Sequence, residues 1–188
     1  IITPQMEVVA AKEHKTPEEI RAGVARGCIA IPANINHKNL APEGVGEGLR
    51  TKVNVNLGIS GDLIDPEVEF EKVRVALELG AEGIMDLSNH GKTKEFRKKL
   101  IEMSPAMIGT VPMYDAIGYL EKPLIGITAQ DFLDVVRAHA EDGVDFVTIH
   151  AGMNRRTIES FKETGRLTNI VSRGGSLIFA WMEATGNE

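Results

Sequence analysis

The sequence predicts an α/β fold: an incomplete (β/α)8 barrel of the TIM type with about six of its βα units present. Three observations predict it. Six short apolar segments, Cys28–Ile31, Lys52–Leu57, Gly83–Leu87, Met107–Val111, Asp145–Ile149 and Asn169–Val171, begin 24, 31, 24, 38 and 24 residues apart, close to βα-unit spacing. Each ends in polar residues of the kind active sites use. An internal echo, Leu79-Gly80-Ala81-Glu82-Gly83-Ile84-Met85 against Asp142-Gly143-Val144-Asp145-Phe146-Val147-Thr148, repeats a helix end on Gly, an acidic residue and an apolar strand. Helices alternating with apolar strands give a parallel sheet covered on its outside.

The elements follow in order. Residues 1–27 form a helical lead-in, and 28–188 the partial barrel. Thr16-Pro17-Glu18-Glu19 opens a helix, with Thr16 as N-cap, Pro17 in the first turn and Glu19 at the capping-box position. Ile20, Val24 and Ala25 continue one face, and Gly27 ends the helix before the first strand. The stretch His37–Arg50 reads as a loop. Asp65-Pro66-Glu67 starts a second helix, with Val68, Val73, Ala76 and Leu77 inward and Gly80 at its end. Thr128-Ala129-Gln130-Asp131 starts a third, running through Phe132, Val135, Val136 and His139 to Gly143.

The strand exits decide between a barrel and an open sheet. They are Pro32–His37, Asn56–Gly58, Met85–Ser88, Pro112–Tyr114, His150–Gly152 and Ser172–Gly175. An open sheet concentrates its ligands at one switch-point crevice, whereas a barrel gathers all strand exits at one mouth. A closed barrel takes about 250 residues, so a chain of 188 residues that starts at Ile1 and stops after a helix reads as part of a longer protein. The outer strands of a six-stranded arc leave unpaired edges, so the chain alone is expected to self-associate.

Composition narrows the function. The formal net charge of −6 argues against a general nucleic-acid surface, and no apolar run is long enough to span a membrane. The single cysteine, Cys28, excludes an internal disulfide and fits a reducing cytoplasm. It also excludes a cysteine-ligated cluster built from these residues alone.

Among the exits, Ser172-Arg173-Gly174-Gly175-Ser176 leads into the apolar helix Leu177–Met182. Helix-start N–H groups and Arg173 at that place fit a phosphate cradle; a tight βα turn with a solvated Arg173 fits the same pattern. His150 lies at a strand end beside Gly152, where it either donates to a substrate oxygen or bonds a neighbouring loop. Asp86 and Ser88 either contact substrate or cap the turn, with capping preferred for Ser88. His37 and His90 read as loop residues and His139 as a helix-face residue; no two histidines have ligand spacing for zinc. Asn34, Asn36, Asn54 and Asn56 need partners inside the mouth, because unpaired amides are costly to bury. Asn56, furthest along its strand, is favoured for substrate contact. Tyr114 orients a ring or a phosphate, or walls the pocket; Met85 would be core in most settings.

Seven collinear stretches resemble the phosphomethylpyrimidine synthase family. They are Ile2-Thr3-Pro4-Gln5-Met6-Glu7, Ile31–His37, Lys52–Gly58, Met85-Asp86-Leu87-Ser88, Gly109–Tyr114, Thr148–Gly152 and Ile170–Ser176. The absence of a long leading domain is similar to the family's short form, which resembles the anaerobic 5-hydroxybenzimidazole synthases of cobalamin lower-ligand synthesis. The resemblance implies a radical SAM carbon–carbon lyase on a (β/α)8 barrel. In that family a 4Fe–4S cluster cleaves S-adenosylmethionine. The resulting radical converts 5-aminoimidazole ribotide to 4-amino-5-hydroxymethyl-2-methylpyrimidine phosphate for thiamine; the benzimidazole product is the alternative. It further implies a divalent metal, zinc, and a cytoplasmic homodimer. Carried over residue by residue, Asn56, Met85, Tyr114, His150, Ser172 and Gly174 contact the ribotide. Arg173 joins them on its charge.

The chain departs from the family's pattern in two places. The cluster motif Cys-x-x-Cys-x4-Cys, the two metal-binding histidines and strands seven and eight would all lie beyond Glu188. Ser88-Asn89-His90-Gly91 stands where the family shows Ser-Thr-Gly. The 188 residues alone are therefore expected to be inactive. A non-catalytic domain that binds a phosphorylated ligand is the reading from another class.

Overall fold

Side-chain caps set the helix starts, and those at Thr16, Asp65 and Thr128 fall where the sequence places them. In the computed structural model, which describes the backbone of residues 1–91, 93–119 and 122–188 and the side chains of all of these except 117–119, Thr3 caps α1 (Pro4–Lys12). Thr16 and Glu19 close a full capping box on α2 (Pro17–Ala25). Asp65 caps α3 (Pro66–Glu78), and Thr128 with Asp131 forms a second capping box on α6 (Ala129–Asp142). Gly143 ends α6 with φ at 109°, a left-handed conformation that glycine adopts without penalty. On α3 the buried stripe is Phe70, Val73 and Ala76, while Val68 turns outward.

Four strands form the parallel sheet: β3 (Asn54–Leu57), β4 (Gly83–Asp86), β5 (Met107–Thr110) and β6 (Phe146–Val147), in that spatial order. The outermost two predicted strands are not part of it. Residues of Cys28–Ile31 form β1 (Ile29–Ala30), which pairs antiparallel with β2 (Val45–Gly46), inside the stretch predicted as a loop. Asn169–Val171 forms no strand, and Val171 is exposed. An apolar β-branched run becomes a strand only where a ladder partner receives its N–H and C=O groups. The free edges of the four-stranded sheet are accordingly those of β3 and β6, not those of the predicted first and sixth strands.

Alternation along the strands sends Leu57, Ile84 and Ile108 to one face. There they pack with Phe70 and Val73 of α3 and with Phe96, Leu100 and Ile101 of α4 (Thr93–Met103). The lead-in has its own core of Val9, Ala10, Ile20 and Ile29. Three further helices, α5 (Pro112–Tyr119), α7 (Arg155–Glu163) and α8 (Arg173–Thr185), follow β5 and β6. Among the described residues no helix is long and apolar enough to cross a membrane.

The internal echo has a physical meaning at the amino edge of this sheet. Glu82 donates its N–H to the Val53 carbonyl, and its carboxylate accepts the Val53 N–H at 2.7 Å. Asp145 does the same with Ile108, its carboxylate accepting at 2.8 Å. Each acidic residue thus clips its own strand to the start of a neighbour, and each has a basic partner: Arg50 for Glu82 and His37 for Asp145.

The first predicted exit is therefore misplaced. Asn34, Asn36 and His37 sit at the amino edge, not at a mouth. Asn34 bonds Asp145, Ala140 and Val144, and Asn36 bonds the Glu141 carbonyl. β1 lies outside the main sheet, paired only with β2, so its exit is not bound to the mouth. His37 is buried between two acceptors, the Asp145 carboxylate at 2.7 Å and the Ser104 carbonyl at 2.8 Å. Two acceptors require two donors, so the bonded imidazole is the doubly protonated cation. Burial opposes that charge, but the bonds to Asp145 and Ser104 outweigh it and hold the His37 pKa above its ordinary value.

A raised histidine pKa adds stability below the unfolded value of about 6.5, and that contribution is lost as pH rises through the folded pKa. The stability lost in His37→Asn should therefore be largest near pH 6 and shrink toward pH 9, as urea denaturation would measure. A loss that grows with pH would contradict the cationic assignment.

Candidate functional site

One register row crosses the sheet's other face. Asn56 stands beside Met85, Met85 beside Gly109 and Gly109 beside Phe146. Asn56 is exposed there and accepts a hydrogen bond from the Asn54 amide at 3.2 Å, whereas Met85 is buried. Gly109 lets the row close up. A Cβ at that position would lie 2.3 Å from the Phe146 ring and 2.6 Å from the Met85 sulfur.

Beyond the carboxyl ends of the strands, four predicted residues converge. Tyr114 lies in the first turn of α5, directly after β5, and His150 follows β6. Their ring centroids are 6.2 Å apart, and the Arg173 guanidinium lies 5.8 Å from the Tyr114 ring centroid. Gly174 also comes up against His150. A Cβ on Gly174 would fall 2.1–2.5 Å from the atoms of the imidazole ring. The His150 Nδ1 is buried with no hydrogen-bond partner among the described residues, which leaves an unspent polar atom inside the cluster.

Ser172 takes a narrower role than the sequence suggests. Its hydroxyl caps α8, accepting the Gly175 N–H at 3.1 Å, and the helix begins at Arg173 rather than Leu177. The first-turn N–H groups of a helix have no intrahelical acceptor. With Gly175 capped, those of Arg173 and Gly174 remain for a ligand. Neither Gly174 nor Gly175 has a positive φ, so Gly174 is required for the approach of His150 and not for an unusual turn.

Asn56 and Met85 stand apart from this cluster. They lie on the same carboxyl half of the sheet, but no hydrogen bond or ring contact among the described residues joins the two groups. His150 also walls two cavities. One of about 410 Å³ carries Thr157, Ser160, Phe161 and Arg166. The other, of about 250 Å³, is apolar and carries Met113, Phe132, Ile149 and Trp181.

Other candidates turn out to be structural. Asp86 is buried and accepts the Ser88 N–H at 2.9 Å, while the Ser88 hydroxyl accepts the Ile59 N–H. Burial pushes the Asp86 carboxyl above its usual range.

His139 is not a simple helix-face residue. It belongs to a buried network that the sequence reading misses, built on Arg97, whose side chain is 1% exposed. Arg97 pairs with Asp115 at 3.1 Å and Asp142 at 2.8 Å; Thr93 and His139 also bond Asp115. The signal is present in the chain: Thr93, Phe96, Arg97, Leu100 and Ile101 follow helical spacing, so an arginine occupies the apolar stripe of α4. Burial opposes ionisation of Asp115, yet the bonds from His139 and Thr93 and the nearby Arg97 charge hold its pKa below the ordinary value.

The described residues do not fit a metal or cluster site. Cys28 is the sole cysteine, and no three His, Cys, Asp or Glu side chains among them form a group that could hold a metal ion.

An α/β protein with a parallel sheet, a structural amino edge and ligand-competent side chains gathered past the carboxyl edge is the class that these features define. The family model described as the radical SAM ThiC family matches residues 1–188, and the chain belongs to that family. It is 65% identical to the phosphomethylpyrimidine synthase of Alkaliphilus metalliredigens over 188 residues, all of this chain and 43% of that protein. The phosphomethylpyrimidine synthases of Clostridioides difficile and Clostridium tetani are each 62% identical over the same 188 residues, which make up 43% and 41% of their lengths. The chain thus spans less than half the length of these relatives.

Proposed function

We propose that this chain is the ribotide-binding part of a phosphomethylpyrimidine synthase, which makes the thiamine pyrimidine phosphate from 5-aminoimidazole ribotide. The observation that carries the reading is the convergence of Tyr114, His150, Arg173 and Gly174 past the carboxyl ends of β5 and β6. The α8 start and Arg173 receive the phosphate, by N–H donation and by charge. His150, with its free Nδ1, bonds a substrate oxygen or ring nitrogen, and Tyr114 orients the ring. Asn56 and Met85 line the approach along the sheet. The relatives' name favours the pyrimidine product over the benzimidazole one.

In this reading the four parallel strands are part of a (β/α)8 barrel, and the whole protein is a cytoplasmic homodimer. The family name implies S-adenosylmethionine and a 4Fe–4S cluster, which supply the radical. Zinc belongs to the same proposal. The ligands of both metals lie outside the described residues, so the 188-residue chain is expected to bind ribotide without turning it over.

Calorimetry of the chain with 5-aminoimidazole ribotide tests the binding half, with the unphosphorylated riboside as control. Micromolar binding of the ribotide alone is expected. Arg173→Ala should weaken it by about tenfold or more, because a charge-assisted hydrogen bond is worth about 1.5–3 kcal/mol. Equal affinity for ribotide and riboside would remove the phosphate cradle. For the whole protein, anaerobic assay after cluster reconstitution should release 5′-deoxyadenosine only when ribotide is present.

A further inference from the structure

The helix that carries Tyr114 is short and depends on a buried carboxylate for its placement. Eight residues, Pro112–Tyr119, are too few for an isolated helix to be stable, so tertiary anchors must fix α5. Asp115 is 4% exposed and supplies them. Its Oδ1 accepts from the Thr93 hydroxyl. Its Oδ2 accepts from Arg97 at 3.1 Å and from His139 Nε2 at 2.8 Å. His139 Nδ1 in turn meets the Thr110 hydroxyl, at the end of β5, at 2.8 Å. One carboxylate therefore ties α5 to α4, to α6 and, through His139, to its own preceding strand.

We propose that Asp115 is a positioning residue for Tyr114, locking the first turn of α5 so that the phenol is held against His150 and Arg173. Successive residues of a helix point about 100° apart. Asp115 therefore faces the α4–α6 side while Tyr114 faces the mouth, and a shift of one carries the other on the same backbone.

The Asp115–His139–Thr110 chain has the hydrogen-bond order of a nucleophilic triad, but it is no second catalytic centre. Thr110 and His139 are each 2% exposed, and neither of the two cavities beside His150 is lined by any of the three. Pairing the Arg97 charge does not explain Asp115 either, because Asp142 already makes two bonds to that guanidinium. What Asp115 adds is the connection to α5. The functional weight of this clamp rests on reading Tyr114 as a ribotide contact; the clamp itself does not.

The test therefore has one arm that needs no ligand. The chain has two tyrosines, so 3-fluorotyrosine labelling yields two fluorine resonances, and Tyr114→Phe assigns that of Tyr114. Asp115→Asn should shift or broaden the Tyr114 resonance while the fold still melts cooperatively. Ile101→Val, a core change on α4 outside the network, should leave it in place. If Asp115→Asn does not fold, Thr93→Val removes one of the same bonds and should move the resonance in the same direction by less. An unmoved resonance in the folded variant overturns the proposal.

The second arm is a double-mutant cycle on ribotide affinity. Asp115→Asn in a Tyr114→Phe background should cost less than twofold, although it weakens binding several-fold in the native background. Additive losses would show that Asp115 acts elsewhere and overturn the proposal. If the unaltered chain binds no ribotide, the ligand reading fails by itself and the fluorine arm still decides the clamp.

Discussion

Replacing Arg97 with methionine should destabilise the fold by about 3–5 kcal/mol, the cost of leaving a buried pair with one partner removed. Arg97 is 1% exposed and lies between Asp115 and Asp142, which are each 5% exposed at the side chain. Methionine fills much of the same length but offers no donor, so two buried carboxylates lose their shared cation. Since small domains have roughly 5–15 kcal/mol in total, this single change removes a large share of the stability. The pH dependence carries a sign that identifies the cause. In the native chain Asp115 is held below its ordinary pKa, so its contribution is present above about pH 3.9 and lost as pH falls through the folded value. In Arg97→Met that carboxylate no longer has its cation, its folded pKa rises, and protonation relieves it. The gap between native and variant in urea denaturation should therefore narrow between pH 7 and pH 5. A gap that stays constant would show that lost packing, not the orphaned charge, is responsible.

Gly174→Ala should be the most damaging small change at the mouth. Alanine is the better helix former by about 1 kcal/mol, and Gly174 lies in the first turn of α8 without a positive φ, so the backbone accepts it. The collision is with the His150 ring, 2.1–2.5 Å from the new Cβ. The imidazole must leave its place against Tyr114 and Gly174, and overpacking of this kind costs about 1–3 kcal/mol. Ribotide affinity is expected to fall by at least tenfold while thermal stability falls only modestly. Adding His150→Ala to Gly174→Ala should restore the stability, since the clash is gone, and leave binding weak. If the double variant binds as the native chain does, His150 has no part in the site.

The positions that the sequence made legible are those where the cause is local. Thr16 with Glu19, Asp65, and Thr128 with Asp131 cap their helices because each side chain reaches an N–H two or three residues away. The β3–β6 strands were readable from short apolar runs, and the places of Tyr114 and His150 beyond β5 and β6 from their positions just after two of those runs. Motif resemblance named the family over the whole chain, and the family match agrees.

What the tertiary structure decided involves partners distant in the chain. Ile29–Ala30 and Asn169–Val171 have similar apolar patterns, yet one pairs antiparallel with Val45–Gly46 and the other forms no strand, because a strand exists only through its ladder. His37 reads from the sequence as a loop residue, and only the fold encloses it between Asp145, 108 positions away, and Ser104. Arg97 broke the apolar stripe of α4, but only the fold shows Asp115 and Asp142 closing on it from α5 and α6. The need for glycine at position 174 was likewise invisible until the His150 ring came against it. Helix caps and strand periods are written within a few residues, so the sequence alone determined them. Burial, charge pairing and ring contact depend on what folding brings from elsewhere, so only the assembled chain decides them.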